Sequence, residues 1–287
     1  MGGVTIDRFY RLARPLDLET SNPAAGWRGF GGVARNVAHN LVRLGVRAGL
    51  VSRVGDDEGG REILAALDVA GIDRCGVDLV PGAATADYVA VLTPEGDLAL
   101  GLAAMDIFDG LTPGVLARHG DLVADAAWIF ADCNLPADTL LGLARRQLSG
   151  GYRVAIDAVS VAKAERLPER LDGIDLLFLN RDEAGALASR YGRGGATADD
   201  IASLLVGLGA KNVVLTLGAA GALAASAAGA FHVPGLPACV VDVTGAGDAL
   251  IAAVIHARAG GADLADAVAS GCAAAARAVE TPSSTPV

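Results

Sequence analysis

The residues best suited to chemistry lie late in the chain, in Asp242-Val-Thr-Gly-Ala-Gly-Asp248, directly ahead of the helical run Ala249 to Ala259. Gly245 and Gly247 let the backbone approach a ligand closely. A helix that starts there aims unpaired N–H groups and the positive end of its dipole at that ligand, so the segment suits an anion. Asp248, in the first turn, has two readings: a carboxylate that complements the helix dipole, or a general base beside a phosphate in transfer. A second motif, Asn180-Arg-Asp-Glu183, follows the apolar strand that ends at Leu179. Asn180 with Glu183 three residues on spells a capping box. At the C-terminal edge of a parallel sheet the same pair could instead hold a water of a Mg²⁺ ion. Third, Gly31-Gly32-Val-Ala-Arg-Asn36 opens a helix. Its paired glycines either admit a small polar ligand, with Asn36 as donor and acceptor one turn later, or simply form a turn. A fourth feature, Thr216-Leu-Gly218-Ala-Ala-Gly221, follows another apolar strand and also reads as an ordinary turn.

These motifs need a scaffold, and the chain supplies an alternating one. Apolar runs at Ala48 to Val54, Ala127 to Ala131, Arg153 to Asp157, Asp175 to Leu179 and Asn212 to Leu217 read as strands buried on both faces. Helical patterns at Val33 to Leu44, Asp57 to Ala70, Ala137 to Leu148, Arg181 to Ser189 and Asp199 to Leu208 lie between them. The βαβ order predicts an α/β fold with a doubly wound, mostly parallel sheet flanked by helices. Asp87 to Leu92 and Asp97 to Leu102, joined by Thr93-Pro-Glu-Gly96, predict a hairpin apart from that sheet, a small β lid formed with part of Phe9 to Leu18. No linker or repeat divides the chain, so one domain is expected over 1–287, with lid segments at 9–18 and 87–102 and a loose tail from Thr281.

Composition narrows the function. Of 287 residues, 52% are hydrophobic and 20% charged, which suits a globular core. A formal charge of −10 with 4% aromatics argues against a nucleic-acid surface, which needs clustered Lys and Arg. Mean hydropathy is +0.43, yet charges and glycines break every apolar stretch well short of a membrane span. The first twenty residues hold no signal-peptide core, so the reading is cytoplasmic. Cys75, Cys133, Cys239 and Cys272 lie far apart and read as buried free thiols rather than a zinc site or disulfide framework. The four histidines are scattered, and neither a Gly-x-x-x-x-Gly-Lys phosphate loop nor a His-Glu-x-x-His pair is present.

Taken in order, Gly31-Gly32 with Asn36, Val54-Gly-Asp-Asp-Glu-x-Gly60, Asn180-x-x-Glu183, Thr216-Leu-Gly218 and Asp242-x-Thr-Gly-Ala-Gly-Asp248 resemble the ribokinase-like carbohydrate kinases, the phosphofructokinase B family. The resemblance covers nearly the whole chain. Within that family Ser21-Asn-Pro23, the stretch from Gly31 to Leu41, Asp132-x-Asn-Leu-Pro136 and Asp157-Ala-Val-Ser-Val-Ala-Lys163 are most similar to the pseudouridine kinases. The resemblance implies ATP-dependent phosphorylation of the 5′-hydroxyl of a ribosyl substrate, pseudouridine first, with ribose, a purine nucleoside or a hexose as alternatives. A non-catalytic binding regulator with the same fold is the more distant one. It implies Asp248 as the base, with Gly245, Ala246 and Gly247 presenting amides to the phosphoryl oxygens. Asp7, Gly31, Gly32 and Asn36 would grip the sugar. Asn180, Thr216, Gly218 and Gly221 would line the nucleotide site, and Glu183 with Asn180 would hold Mg²⁺. Asp242 resembles a position in a monovalent-cation loop, for an ion such as K⁺. The lid would cover the substrate and pair two subunits as a homodimer. In one respect the chain departs from relatives: Met1 to Ile6 leaves almost no strand before Asp7.

Overall fold

A computed structural model describes residues 1–148 and 151–281, so the expected tail beyond Thr281 lies outside the described residues. The chain begins with β1 (Thr5–Leu12), β2 (Ala24–Gly31), α1 (Val33–Arg43), β3 (Gly49–Gly55), α2 (Glu58–Val69), β4 (Asp73–Val80), β5 (Asp87–Leu92) and β6 (Leu98–Ala104). Two short helices, α3 (Pro113–Arg118) and α4 (Gly120–Ala124), lead to β7 (Trp128–Asp132), α5 (Ala137–Leu148), β8 (Arg153–Asp157) and α6 (Val161–Ala164). Then follow β9 (Leu176–Asn180), α7 (Arg181–Arg190), α8 (Ala198–Gly207), β10 (Asn212–Thr216), β11 (Ala222–Ser226), β12 (Gly229–Val233), α9 (Ala246–Ala259) and α10 (Leu264–Ala278).

The main sheet has the order β12-β11-β10-β9-β8-β7, parallel from β10 to β7 and closed by an antiparallel hairpin at β11 and β12. Its strands alternate between two cores, as the period of two requires. Leu177 and Leu179 of β9 pack with Leu140, Leu187 and Leu205 from α5, α7 and α8, while Leu176 and Phe178 pack with Ile63, Val254 and Val268 from α2, α9 and α10. Helices therefore cover both faces, as expected for a doubly wound fold.

The region ahead of Asp7 has a specific architecture. Asp132 N donates to Met1 O at 3.2 Å and Gly2 N to Val51 O at 3.1 Å, so the first residues bridge β7 to the parallel pair β3 and β4. Among the described residues no helix is long and apolar enough to cross a membrane.

The small sheet expected as a lid has more strands than the hairpin read from sequence. Its order is β2-β1-β5-β6, with Asp7 paired to Gly29 of β2 and to Tyr88 of β5. Of the expected segment 9–18, residues 9–12 belong to β1, which starts at Thr5 and ends at Leu12, and residues 13–18 form no strand. Its partner β2, Ala24–Gly31, escaped the sequence reading because Ala and Gly weaken its strand signal. The Phe9 and Trp27 rings stack with centroids 5.4 Å apart and tie β1 to β2. The cysteine reading also needs correction: Cys133 and Cys272 are buried, whereas Cys75 and Cys239 are exposed.

Candidate active site

Two helix N-termini converge above the edge of the main sheet, and both are unusual. Gly32 is the N-cap of α1 at φ 93° and offers no side chain to its first amides. Asp132, at the end of β7 and fully buried, does so from 98 residues away: its Oδ2 accepts from Ala34 N at 3.0 Å and from Gly3 N at 2.9 Å. The remote carboxylate thus does what an N-cap side chain does locally. A side chain on either glycine of the pair would meet a close neighbour, a backbone atom at Gly32 and a side chain at Gly31. A Cβ on Gly32 would lie 2.3 Å from Gly3 O, and one on Gly31 would lie 1.9 Å from Asp7 Oδ2. Gly31 therefore seats the Asp7 carboxylate directly above it.

The second N-terminus belongs to α9. Gly245 caps it in the left-handed region at φ 78°, with no side-chain hydrogen bond. Ala246 N donates to Val243 O at 3.3 Å, and the helix's own ladder begins with Ala249 N donating to Gly245 O at 2.9 Å. The amides of Gly247 and Asp248 fall in the first turn, where a helix has no internal acceptor to offer them. A Cβ on Gly247 would meet nothing within 4 Å, so this glycine keeps open a space that the protein itself does not fill. An uncapped helix start with such a space fits a phosphate group.

Asn36 of α1 joins the two. Its Nδ2 donates to Asp248 Oδ2 at 2.8 Å, across 212 residues of sequence. Asp248 and Asn36 are thereby brought together with Asp7, which lies over Gly31 and whose charge acts on Asp248. Burial pushes the Asp248 carboxyl up to about 7, with the negative charges of Asp132 and Asp7 adding to the rise and the Asn36 bond and Arg35 opposing it. Burial likewise raises Asp7 to about 6, against the Thr5 hydroxyl bond at 2.5 Å and the charge of Arg35. A carboxyl that titrates near neutrality is suited to accepting a proton from an alcohol.

Farther along the sheet edge, Asn180 caps α7 and forms the full capping box: Glu183 N donates to Asn180 Oδ1 at 2.9 Å and Asn180 N to Glu183 Oε2 at 2.8 Å. Asn180 Nδ2 also donates to Glu183 Oε1 at 2.8 Å, so both oxygens of this 4% exposed carboxylate already accept a bond. Among the described residues no group of three or more His, Cys, Asp or Glu is placed to hold a metal ion, so Glu183 would meet a hydrated Mg²⁺ only through the ion's waters. Thr216 ends β10 beside Asn180, the two being register partners. Gly218, at φ 62°, opens the turn after β10. Gly221 has a structural reason of its own, since a Cβ there would lie 2.2 Å from Val233 O. Asp242 is held by other partners: its Oδ1 accepts from Thr244 N at 2.8 Å and its N donates to Val279 O at 3.1 Å at the end of α10.

Three residues of this region escaped the sequence reading as site residues. Arg35 donates to Phe30 O at 3.3 Å and to Asn36 Oδ1 at 3.1 Å. Lys163 Nζ bonds Asn134 Oδ1 and reaches Met105 Sδ at 3.2 Å, linking the sheet edge to the chain that leaves β6. Asp157, at the end of β8, is raised well above the usual carboxylate range by burial and by the charges of Glu183, Asp248 and Asp132. An acid at the C-terminal end of an apolar strand was the available signal for Asp157.

Comparisons with known proteins identify the family. The profile of the pfkB family carbohydrate kinases matches residues 3–286. Pseudouridine kinase of Escherichia coli K12 is 31% identical over 278 residues, covering 95% of this chain and 87% of that protein. A carbohydrate kinase from Agrobacterium tumefaciens superposes with a TM-score of 0.82 at 32% identity, covering 99% of this chain and 91% of the other. Ribokinase of Arabidopsis thaliana, solved with ribose and ATP, shares the fold with a TM-score of 0.83 at 23% identity, covering 98% and 91% of the two chains. A match spanning nearly every residue, on a fold whose two glycine motifs meet at one acid, leaves a single assignment: the chain belongs to the pfkB family of carbohydrate kinases and is a sugar or nucleoside kinase.

Proposed function

We propose that the protein transfers the γ-phosphoryl group of ATP to the 5′-hydroxyl of a ribosyl nucleoside, pseudouridine being the first candidate. The observation that carries the reading is the bond from Asn36 Nδ2 to Asp248 Oδ2, which joins the sugar-side glycine motif to the anion-side one. The likeness to the Escherichia coli pseudouridine kinase, over 95% of the chain, supports the substrate.

In this reading Asp7, Gly31, Gly32 and Asn36 hold the ribose, the Asp7 carboxylate accepting from the sugar hydroxyls. Asp248 accepts the proton of the 5′-hydroxyl as that oxygen attacks phosphorus. The backbone amides at Gly245, Ala246 and Gly247 face the phosphoryl oxygens, where negative charge is spread in a loose transition state. Asn180, Thr216 and Gly218 line the nucleotide side, and Asn180 and Glu183 hold Mg²⁺ through its waters. When bound, Mg²⁺ neutralises phosphate charge in a site that contributes three acids of its own. The lid β1-β2-β5-β6 closes over the sugar and excludes water. Residues 1–287 then act as one kinase unit, cytoplasmic in location.

Leu98, Leu100 and Leu102, spaced by two on the edge strand β6, are 58%, 45% and 54% exposed, which supports a homodimer paired through the lid. Ribose, a purine nucleoside or a hexose is the second reading, favoured by the sugar-side geometry alone. ADP release measured with pseudouridine, uridine, ribose, adenosine and fructose, each with ATP and Mg²⁺, separates the readings. Turnover confined to pseudouridine is the expected result, turnover of another acceptor overturns the substrate, and no turnover by folded protein favours a non-catalytic regulator.

A further inference from the structure

Asp248 sits among like charges. Asp7 faces it from β1, Asp132 from β7 and Asp157 from β8, while Asn36 and Arg35 face it from α1. Its single side-chain hydrogen bond in this set comes from Asn36, and an amide group can present either of its ends. With Oδ1 toward Asp248, two acceptors would meet and the bond would become a repulsion. What selects the productive end lies on the other side of the amide. Arg35 Nη1 donates to Asn36 Oδ1 at 3.1 Å and is itself anchored by Phe30 O at 3.3 Å, at the end of β2. Neighbouring side chains on a helix ordinarily point apart. Arg35 and Asn36 meet because the guanidinium folds back over the start of α1 toward β2.

We propose that Arg35 is a positioning residue for the phosphoryl-transfer site: its guanidinium fixes the Asn36 amide with Nδ2 facing Asp248 and supplies positive charge between Asp7 and Asp248. Two observations support this beyond the hydrogen bonds. Arg35 is itself desolvated, with burial lowering its affinity for a proton and the charges of Asp7 and Asp248 restoring it, so the three form one electrostatic unit. Arg35 also opposes the rise of both acids, which are already lifted to about 6 and about 7 by burial. Arg35 is half-buried and interacts electrostatically with both carboxylates.

The proposal rests on the kinase reading for its catalytic meaning, and its test reads out on Asp248 directly. The carboxyl carbons of ¹³C-aspartate-labelled protein are titrated by NMR, the Asp248 signal being assigned by its loss in Asp248→Asn. In Arg35→Gln the Asp248 midpoint is expected to rise by about one unit or more, as loss of a nearby opposite charge requires. The acid limb of kcat/KM moves by the same amount, and most of the activity returns at high pH. Arg35→Lys keeps the charge without the planar fork and gives a smaller rise. An Asp248 midpoint unchanged in Arg35→Gln, with activity lowered equally at every pH, overturns the proposal. If Arg35→Gln does not fold, Arg35→Lys decides: a midpoint identical to the native one contradicts the role. A native protein that turns over no acceptor but shows the NMR shift would refute the kinase reading and leave the positioning role standing.

Discussion

Gly31→Ala probes the sugar side of the cleft with unusual selectivity. The added Cβ would stand 1.9 Å from Asp7 Oδ2, 2.4 Å from Cγ and 2.5 Å from Oδ1, and contacts below 3.0 Å do not persist between such atoms. The carboxylate must retreat by roughly 1 Å or more, a displacement of the size that costs about 10²-fold in a positioned site. Gly31 itself is not among the positive-φ residues, so its backbone accepts alanine without strain. The obstacle is a side chain that can swing away, and the fold should survive. The expected result is a KM for the sugar acceptor raised by about 10- to 100-fold, with the KM for ATP unchanged and Tm close to native. Steady-state kinetics with each substrate varied in turn, together with a thermal melt, measure this. Gly32→Ala is the contrast. There the clash is with Gly3 O at 2.3 Å, a backbone atom, and φ is 93°, so both sterics and conformation oppose the change. That variant should melt lower and lose both substrates together. A Gly31→Ala protein with native acceptor KM would refute the assignment of Asp7 to the sugar.

The remaining predictions concern charge. Because Asp248 titrates near 7 and must be ionised to accept a proton, kcat/KM should fall about tenfold per unit below that pH, more steeply below about 6 where Asp7 also protonates; a flat profile from pH 5 to 8 contradicts the base role. Asp157 is raised above the ordinary value, so its ionisation opposes folding: the stability it allows is full below about 4 and is lost as pH rises. In Mg²⁺-free buffer the Tm of Asp157→Asn, relative to native, should therefore climb between pH 4 and 7, and a constant difference would show the carboxyl to be solvated. Glu183→Ala removes one half of the α7 capping box and should lower stability by about 1–2 kcal/mol while raising the Mg²⁺ concentration needed for half-maximal rate. An unchanged Mg²⁺ requirement would restrict Glu183 to its capping role.

What the sequence made legible follows from how local each signal was. The strands β8, β9 and β10 are short apolar runs between helical patterns, and they fall within a residue of their expected bounds. The capping box at Asn180 and Glu183 needs only a spacing of three, and it formed as spelled. The strands β2 and β11 were hidden because Ala24–Gly31 and Ala222–Ser226 are rich in small residues whose strand character comes from pairing, not from propensity. The helix α10 was not read from the sequence, although its alanines are strong helix formers and Asp263 caps it. At the site, the glycines and the acid were legible as motifs, whereas their partners were not. Asp132 serves α1 from 98 residues away, and Arg35 acts only because Asn36 has met Asp248 across 212 residues. Such roles arise from the folded arrangement and leave no spacing to read.

The measurement closest to the central claim is the turnover of Asp248→Asn. The substitution keeps the size of the side chain and the Asn36 contact in reach, and it leaves the amides at the start of α9 in position. The account predicts a Kd for an ATP analogue close to native and a kcat lower by about 10²- to 10⁴-fold at the optimum pH. Turnover near the native rate, with acceptor and nucleotide still bound, would contradict it.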